Sequence, residues 1–292
     1  MTKIHQFKQN RFINLKGNLY DLNSPKIMGI INCTPDSFYS GSRKTIVSDI
    51  LKSVESMLEN GADIIDIGGA STRPNALIPS VEEEIERILE PIKSLRKEFK
   101  DLVISLDTMR SEVAKIGIDE GISILNDVSG GLYDEKLIEL VAQKKVPYIL
   151  TFNNGNEINT YPLDTTRNIL KESIVFFSER INDLKKLGIK DIIIDPGFGF
   201  DKTLEENFSL LNNIDLLHIL EKPILVGISR KSMIYKKLQI NPEDSLNGTS
   251  ILNSISFFKG ATIFRVHDVR EMNQIRQLLN GNIWKITILK LF

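Results

Sequence analysis

Eight short runs of isoleucine, valine and leucine, spaced between stretches of helical period, restrict the folds open to this chain more than any other feature. The runs are IMGII (27–31), DIIDIG (63–68), LVISLD (102–107), ISILND (122–127), VPYILTF (146–152), DIIIDP (191–196), PILVGIS (223–229) and ATIFRVHD (261–268). They are apolar almost throughout, as expected of strands covered on both faces. Between them lie segments such as VEEEIERILEPIKSLRKEF and VREMNQIRQLL, whose apolar residues recur every three or four positions, the stripe of a helix lying on a sheet. Gly61, Gly121, Gly188 and Gly260 follow such segments where a helix C-cap belongs. Strands of this kind alternating with helices imply a parallel sheet, and eight such units point to a closed (β/α)8 TIM barrel. An open doubly wound sheet is the alternative, but no GxGxxG follows the first run. Ahead of it, RFINLKGNLYDL (11–22) reads as a short N-terminal hairpin, turning near Lys16-Gly17-Asn18 and capping the barrel bottom.

A chain of 292 residues suits one such barrel, so residues 1–292 are expected to form a single domain without a linker. A net charge of -1 provides no field to gather nucleic acid or an anionic membrane. The single cysteine, Cys33, excludes an internal disulfide framework and fits a reducing compartment. The start, MTKIHQFKQNRF, lacks the apolar stretch of a signal peptide, and no apolar run nears the ~20 residues of a membrane span. A cytoplasmic location is therefore expected. The apolar tail NIWKITILKLF (282–292) could pack on the barrel, enter an oligomer interface or be a private extension.

In a barrel of this kind the active site forms where the strands end. Run one ends in Asn32, run two in Asp66 and Gly68-Gly69, run three in Asp107-Thr108 and run four in Asn126-Asp127. Run six ends in Asp195, run seven in Ser229-Arg230-Lys231-Ser232, and run eight in Arg265 and His267. Run five ends without charge, in Thr151-Phe152-Asn153-Asn154. A single polar strand end has a plain explanation as a helix cap or a loop anchor. So many at one mouth suggest a site, where packed carboxylates would raise one another's pKa unless cations such as Arg265, Lys231 and Arg73 compensate. The loops CTPDSFYSGSR (33–43) and GGASTRPNA (68–76) offer amides, hydroxyls and arginines suited to closing over an anion such as phosphate. In IIIDPGFGF (192–200), a buried strand holds Asp195 rigidly, Pro196 stops the ladder, and Gly197 and Gly199 let the backbone approach a ligand. Two carboxylate oxygens in a fixed plane suit the N–H edge of a flat, guanidine-like heterocycle.

The motifs MGIINCTPDSFYSG, DIIDIGGASTRP, ISLDT, ILNDVSGG, IIIDPGFGF, VGISRKS and FRVHDV occur in this order, one on nearly every strand, and together they resemble the dihydropteroate synthase family of folate biosynthesis. The resemblance runs from about residue 11 to residue 280. It implies a pterin-binding (β/α)8 barrel, usually a homodimer and the target of sulfonamides, that joins 6-hydroxymethyl-7,8-dihydropterin diphosphate to 4-aminobenzoate. It also implies roles. Asp107 bonds the ring and stabilises a cation at its exocyclic methylene, while Asn126 and Asp195 read the ring's donor edge. Lys231 touches the ring and lines the aminobenzoate pocket beside Ser232. Arg265 stacks on the ring and, with His267, holds the diphosphate. Asn32 binds a Mg²⁺ that rides on the diphosphate, and Thr72, Arg73, Pro35 and Phe38 close over the substrates. Gly199 and Phe200 belong to the clamp turn. Cys33 is expected to pack rather than react. One departure stands out: relatives commonly carry a Met-His-Met type sequence where this chain has Thr151-Phe152-Asn153. Two alternatives remain, a methyl-transferring pterin-binding barrel and a non-catalytic barrel that has kept its pterin clamp.

Overall fold

A computed structural model describes residues 11–34, 43–70, 77–153 and 168–279 of the chain. Pro35, Phe38, Thr72, Arg73 and the 282–292 tail lie outside these residues. The chain opens with an antiparallel hairpin, β1 (Phe12–Leu15) and β2 (Asn18–Asp21). Eight parallel strands follow: β3 (Lys26–Asn32), β4 (Ile64–Gly68), β5 (Val103–Asp107), β6 (Ile124–Asp127), β7 (Tyr148–Thr151), β8 (Ile192–Asp195), β9 (Leu225–Val226) and β10 (Ile263–Val266). The helices between and after them are α1 (Arg43–Glu59), α2 (Val81–Glu98), α3 (Ser111–Asp119), α4 (Glu135–Lys144), α5 (Ile169–Lys186), α6 (Leu204–Asn212), α7 (Ser232–Leu238), α8 (Leu246–Phe258) and α9 (Val269–Leu279).

The ladder runs β8-β7-β6-β5-β4-β3-β10-β9. A parallel bridge between Ile194 and Ile224 closes it, with the Ile194 amide donating to the Pro223 carbonyl at 2.9 Å. The architecture is thus the α/β barrel with a small hairpin that the strand–helix rhythm implies. The four expected C-cap glycines all adopt positive φ, from 86° to 99°, a backbone region where any Cβ is strained.

The strands look uniformly apolar because they serve two cores. Ile27, Ile65, Ile104, Leu125, Leu150 and Ile194 point outward and pack beneath the helices against Ile50, Ile88, Val113 and Leu137. Met28, Ile64, Ile124, Ile149, Ile193, Leu225 and Ile263 point inward and fill the bottom of the barrel. Ile13 and Leu22 of the hairpin, both 1% exposed, plug this inner layer from below. Positive φ at Lys16 and Gly17 turns the hairpin as foreseen. Its rim is tied to the barrel where Asp191 accepts from the Asn14 amide at 3.0 Å and Lys16 donates to the Gly121 carbonyl at 2.6 Å.

The inner layer has no other lid at this end among the described residues, so Ile13→Ala is expected to cost about 2–4 kcal/mol through lost burial and a residual cavity. Leu19→Ala, at a position 76% exposed, is expected to fall within ~0.5 kcal/mol of wild type. Urea unfolding of both variants checks the contrast; equal effects would show that the hairpin is not a plug.

Candidate active site at the barrel mouth

Strand side chains alternate, so the inward position two residues above each plug residue belongs to the next layer. There the chemistry changes. Asp66 of β4, Asn126 of β6, Thr151 of β7, Asp195 of β8 and Arg265 of β10 occupy it, and none is more than 6% exposed. Charges so deeply buried must be compensated. Arg265 supplies the countercharge: its Nη2 lies 3.3 Å from Asp195 Oδ2 and its Nη1 lies 3.7 Å from Asp66 Oδ2. Gly227 makes room for it, since a Cβ there would sit 3.1 Å from Nη2.

The hydrogen bonds in this layer set its polarity. Asn126 Nδ2 donates to Asp66 Oδ2 at 3.0 Å, which turns Asn126 Oδ1 the other way as an acceptor. Asp195 Oδ1 accepts from the Gly197 amide at 2.8 Å, which locks the carboxylate plane and leaves Oδ2. Asp66 Oδ1, Ser105 Oγ, Asn126 Oδ1, Thr151 Oγ1, Asp195 Oδ2 and Arg265 Nη1 have no hydrogen-bond partner among the described residues, although Asp195 Oδ2 keeps its ion pair with Arg265. Buried polar atoms are rarely left so. Three of the six are pure acceptors, so the layer is chemically complementary to a flat group rich in N–H donors.

Above this layer, the sheet register sets the strand ends Asn32, Gly68 and Asp107 side by side. The Asp107 carboxyl is pushed up to about 8, first by desolvation and then by the Asp66 charge, with Arg265 opposing. The Lys231 ammonium, just before α7, is pushed down to about 8 by desolvation and by Arg265. It donates to the Phe198 carbonyl and lies 4.4 Å from the centre of the Phe200 ring. Gly199, at φ +83°, lies against the Lys231 stem, so a Cβ there would approach Lys231 Cδ to 3.0 Å. Ser232 opens α7, partly buried. His267 is exposed, farther out on β10's continuation than Arg265, and its Nδ1 meets Ser229 Oγ at 3.2 Å. Cys33 is buried and its thiol is pushed up to about 12, which leaves it a packing group.

The structure thus gathers Asp107, Lys231, Arg265, Asn126, Asp195, Asn32, Gly199, Phe200, Ser232 and His267 around one end of the barrel. Two polar strand ends prove to be scaffold instead. Asp127 faces outward, where both oxygens accept from Ser129, Gly131 and the Tyr148 hydroxyl to shape the β6 loop. Arg230 forms a two-pronged pair with Asp268, at 2.9 and 2.7 Å, joining the loops after β9 and β10. Lys202, not singled out in the sequence, donates to the carbonyls of Phe152, Gly197 and Phe200 and pins the clamp turn. Of the unusual Thr151-Phe152-Asn153 stretch, Phe152 packs outward against Phe176 and Phe177 with ring centres 5.3 and 6.1 Å away. Asn153 donates to the Val128 carbonyl at 3.0 Å, and Thr151 alone of the three joins the inner layer.

A carboxyl raised from 3.8 to about 8 keeps in the folded chain a proton that the unfolded chain releases. Its contribution to stability therefore falls as pH rises between those values. Asp107→Asn removes that contribution. Urea unfolding of both proteins from pH 5 to 8 is expected to show the variant gaining on wild type as pH rises; a difference independent of pH would contradict the shift.

Comparison with known proteins agrees with this geometry. Residues 28–267 match the family model described as pterin binding enzyme. The chain is 40% identical over 255 residues to a dihydropteroate synthase of Clostridium beijerinckii, covering 86% of this chain and 92% of that one. Among solved structures, Xanthomonas albilineans dihydropteroate synthase with 4-aminobenzoic acid superposes with a TM-score of 0.85 at 33% identity, over 92% of this chain and 97% of that one. The same enzyme in complex with 7,8-dihydropteroate gives 0.81 at 31% identity, with the same coverage. By sequence and by fold, the chain belongs to the pterin binding enzymes, among the dihydropteroate synthases.

Proposed function

We propose that the chain, as one domain, condenses 6-hydroxymethyl-7,8-dihydropterin diphosphate with 4-aminobenzoate to give 7,8-dihydropteroate and diphosphate. The observation that carries this is the row of buried acceptors left without a hydrogen bond, Asp66 Oδ1, Asn126 Oδ1 and Asp195 Oδ2, the last facing only Arg265, beneath a mouth that holds Lys231 and His267. The pterin's amino and ring N–H groups form a donor edge that such a row would pair.

With that edge held by Asn126 and Asp195, the exocyclic methylene points toward the mouth. The methylene C–O bond breaks, its electron pair leaves with the diphosphate, and positive charge spreads into the ring. Asp107 lies where a cation would favour its ionised form, so that charge and carboxylate stabilise one another. Arg265, lodged between Asp66 and Asp195, presents its flat face to the ring, and with His267 it offsets the leaving charge. The neutral amine of 4-aminobenzoate, placed by Lys231 and Ser232, then forms the C–N bond and loses its proton, with no covalent intermediate on the chain. Gly199 and Phe200 shape the wall that Lys231 leans on. Thr72, Arg73, Pro35 and Phe38 take the closing roles that the family resemblance gives them.

Mg²⁺ fits this site as a companion of the diphosphate. Among the described residues no three His, Cys, Asp or Glu side chains converge on a cation. Asn32, at the inward end of β3, offers one neutral oxygen, as suits an ion held chiefly by phosphate oxygens and water. When bound, the ion would neutralise charge on the leaving diphosphate. A homodimer is part of the same proposal, supported by Ile251, Ile255 and Phe258, which stand exposed along one face of α8. So is a cytoplasmic location, which the lone cysteine Cys33 supports as fitting a reducing compartment.

Purified protein mixed with the pterin diphosphate, Mg²⁺ and 4-aminobenzoate is expected to release diphosphate and form dihydropteroate. Omitting aminobenzoate should stop the release. Tight pterin binding without turnover would instead mark a barrel that clamps and does not react.

A further inference from the structure

Thr151 closes β7 in direct parallel register with Asp195. Tyr148 and Leu150 belong to the outer core and Ile149 to the inner plug, so alternation sends the Thr151 side chain into the polar layer. On its other side β7 pairs with β6, which carries Asn126. Thr151 therefore stands between the two groups proposed to hold the pterin.

Its hydroxyl is unlike those of the other buried threonines. Thr108 Oγ1 donates to Glu84, Thr249 Oγ1 accepts from the Arg230 amide, and Thr262 Oγ1 bonds the Ile224 backbone. Thr151, fully buried, has a hydroxyl with no partner among the described residues. Valine would fill the same volume and suit a strand equally well, without the cost of a buried, unpaired hydroxyl. The barrel thus gains nothing from the oxygen. Its neighbours in the row, Asn126 Oδ1 and Asp195 Oδ2, accept only, whereas a hydroxyl also donates.

We propose that Thr151 is a specificity-determining residue whose hydroxyl donates to an acceptor atom of the heterocycle, a carbonyl oxygen or an unprotonated ring nitrogen, beside the donor edge that Asn126 and Asp195 hold. It rests on the pterin assignment above and adds to it. Donors alone do not satisfy this wall of the pocket; the bound ring must alternate donors with an acceptor opposite β7.

The test is calorimetric titration of 6-hydroxymethylpterin into wild type, Thr151→Val and Thr151→Ser, with melting temperatures and steady-state kinetics for all three. Thr151→Val is expected to melt no lower than wild type and to bind the probe about tenfold more weakly. Its KM for the pterin substrate should rise while kcat changes little, as for a contact made equally in ground and transition states. Thr151→Ser should recover most of the affinity, and a serine variant as weak as the valine one would count against the hydrogen bond. Thr151→Val binding as tightly as wild type overturns the role of Thr151 alone. Failure of wild type to bind the probe overturns the pterin assignment and this proposal with it.

Discussion

Everything at the mouth of this barrel depends on one cation buried between two carboxylates. Arg265 lies 3.3 Å from Asp195 and 3.7 Å from Asp66, with almost no solvent to share the charge. Removing one partner from such a cluster costs about 3–5 kcal/mol, because the remaining charge stays buried and uncompensated. The arrangement also propagates. Asp66, kept in place beside Arg265, accepts from the Asn126 amide and so decides which end of that amide faces inward. The Asp66 charge helps push Asp107 up, and the Arg265 charge helps push Lys231 down, which brings both groups to about 8. Gly227 belongs to the same device, because a Cβ there would press to 3.1 Å on the guanidinium and push it aside.

Stability and function occupy separate storeys of the same strands. Below, seven apolar side chains and the hairpin residues Ile13 and Leu22 form a sealed plug. Two residues higher, the same inward rows carry carboxylates, an amide, two hydroxyls and a guanidinium. The lower storey tolerates the upper one because it is rigid: buried polar atoms without partners persist only where the surrounding packing holds them. The clamp turn extends this logic beyond the strand, with Gly197 at φ +67° closing onto the Asp195 carboxylate and Lys202 gripping three carbonyls around it.

Much of this could be read in the sequence, for identifiable reasons. Strands buried on two faces write themselves as unbroken isoleucine and valine, and the glycine C-caps mark where helices must turn back. The hairpin was visible because Lys16-Gly17 suits a tight turn. What two-sided burial hides is phase. In DIIDIG and ISILND both faces are apolar, so the letters do not say which acid looks inward. Asp66, a polar strand end to which the family resemblance gives no role, lies at the centre of the site, while Asp127 braces a loop. Arg230 read only as part of the polar end of run seven, and its partner Asp268 lies 38 residues away, so only the fold brings them together. The departure at the end of β7 reads in the sequence as one change of three residues. In space it is three unrelated ones, an outward Phe152, a loop-bracing Asn153 and an inward Thr151.

The central claim is that the buried acceptors Asn126 and Asp195 read an N–H edge. The most direct measurement compares, by titration calorimetry, 6-hydroxymethylpterin with 6-hydroxymethyllumazine, in which an oxygen replaces the 2-amino group. That oxygen would face acceptors that cannot pair it, and sites built around a substrate N–H reject such analogues by about 10⁴-fold. The account predicts tight binding of the pterin and a loss of that order for the lumazine. Comparable affinity for the two would contradict it.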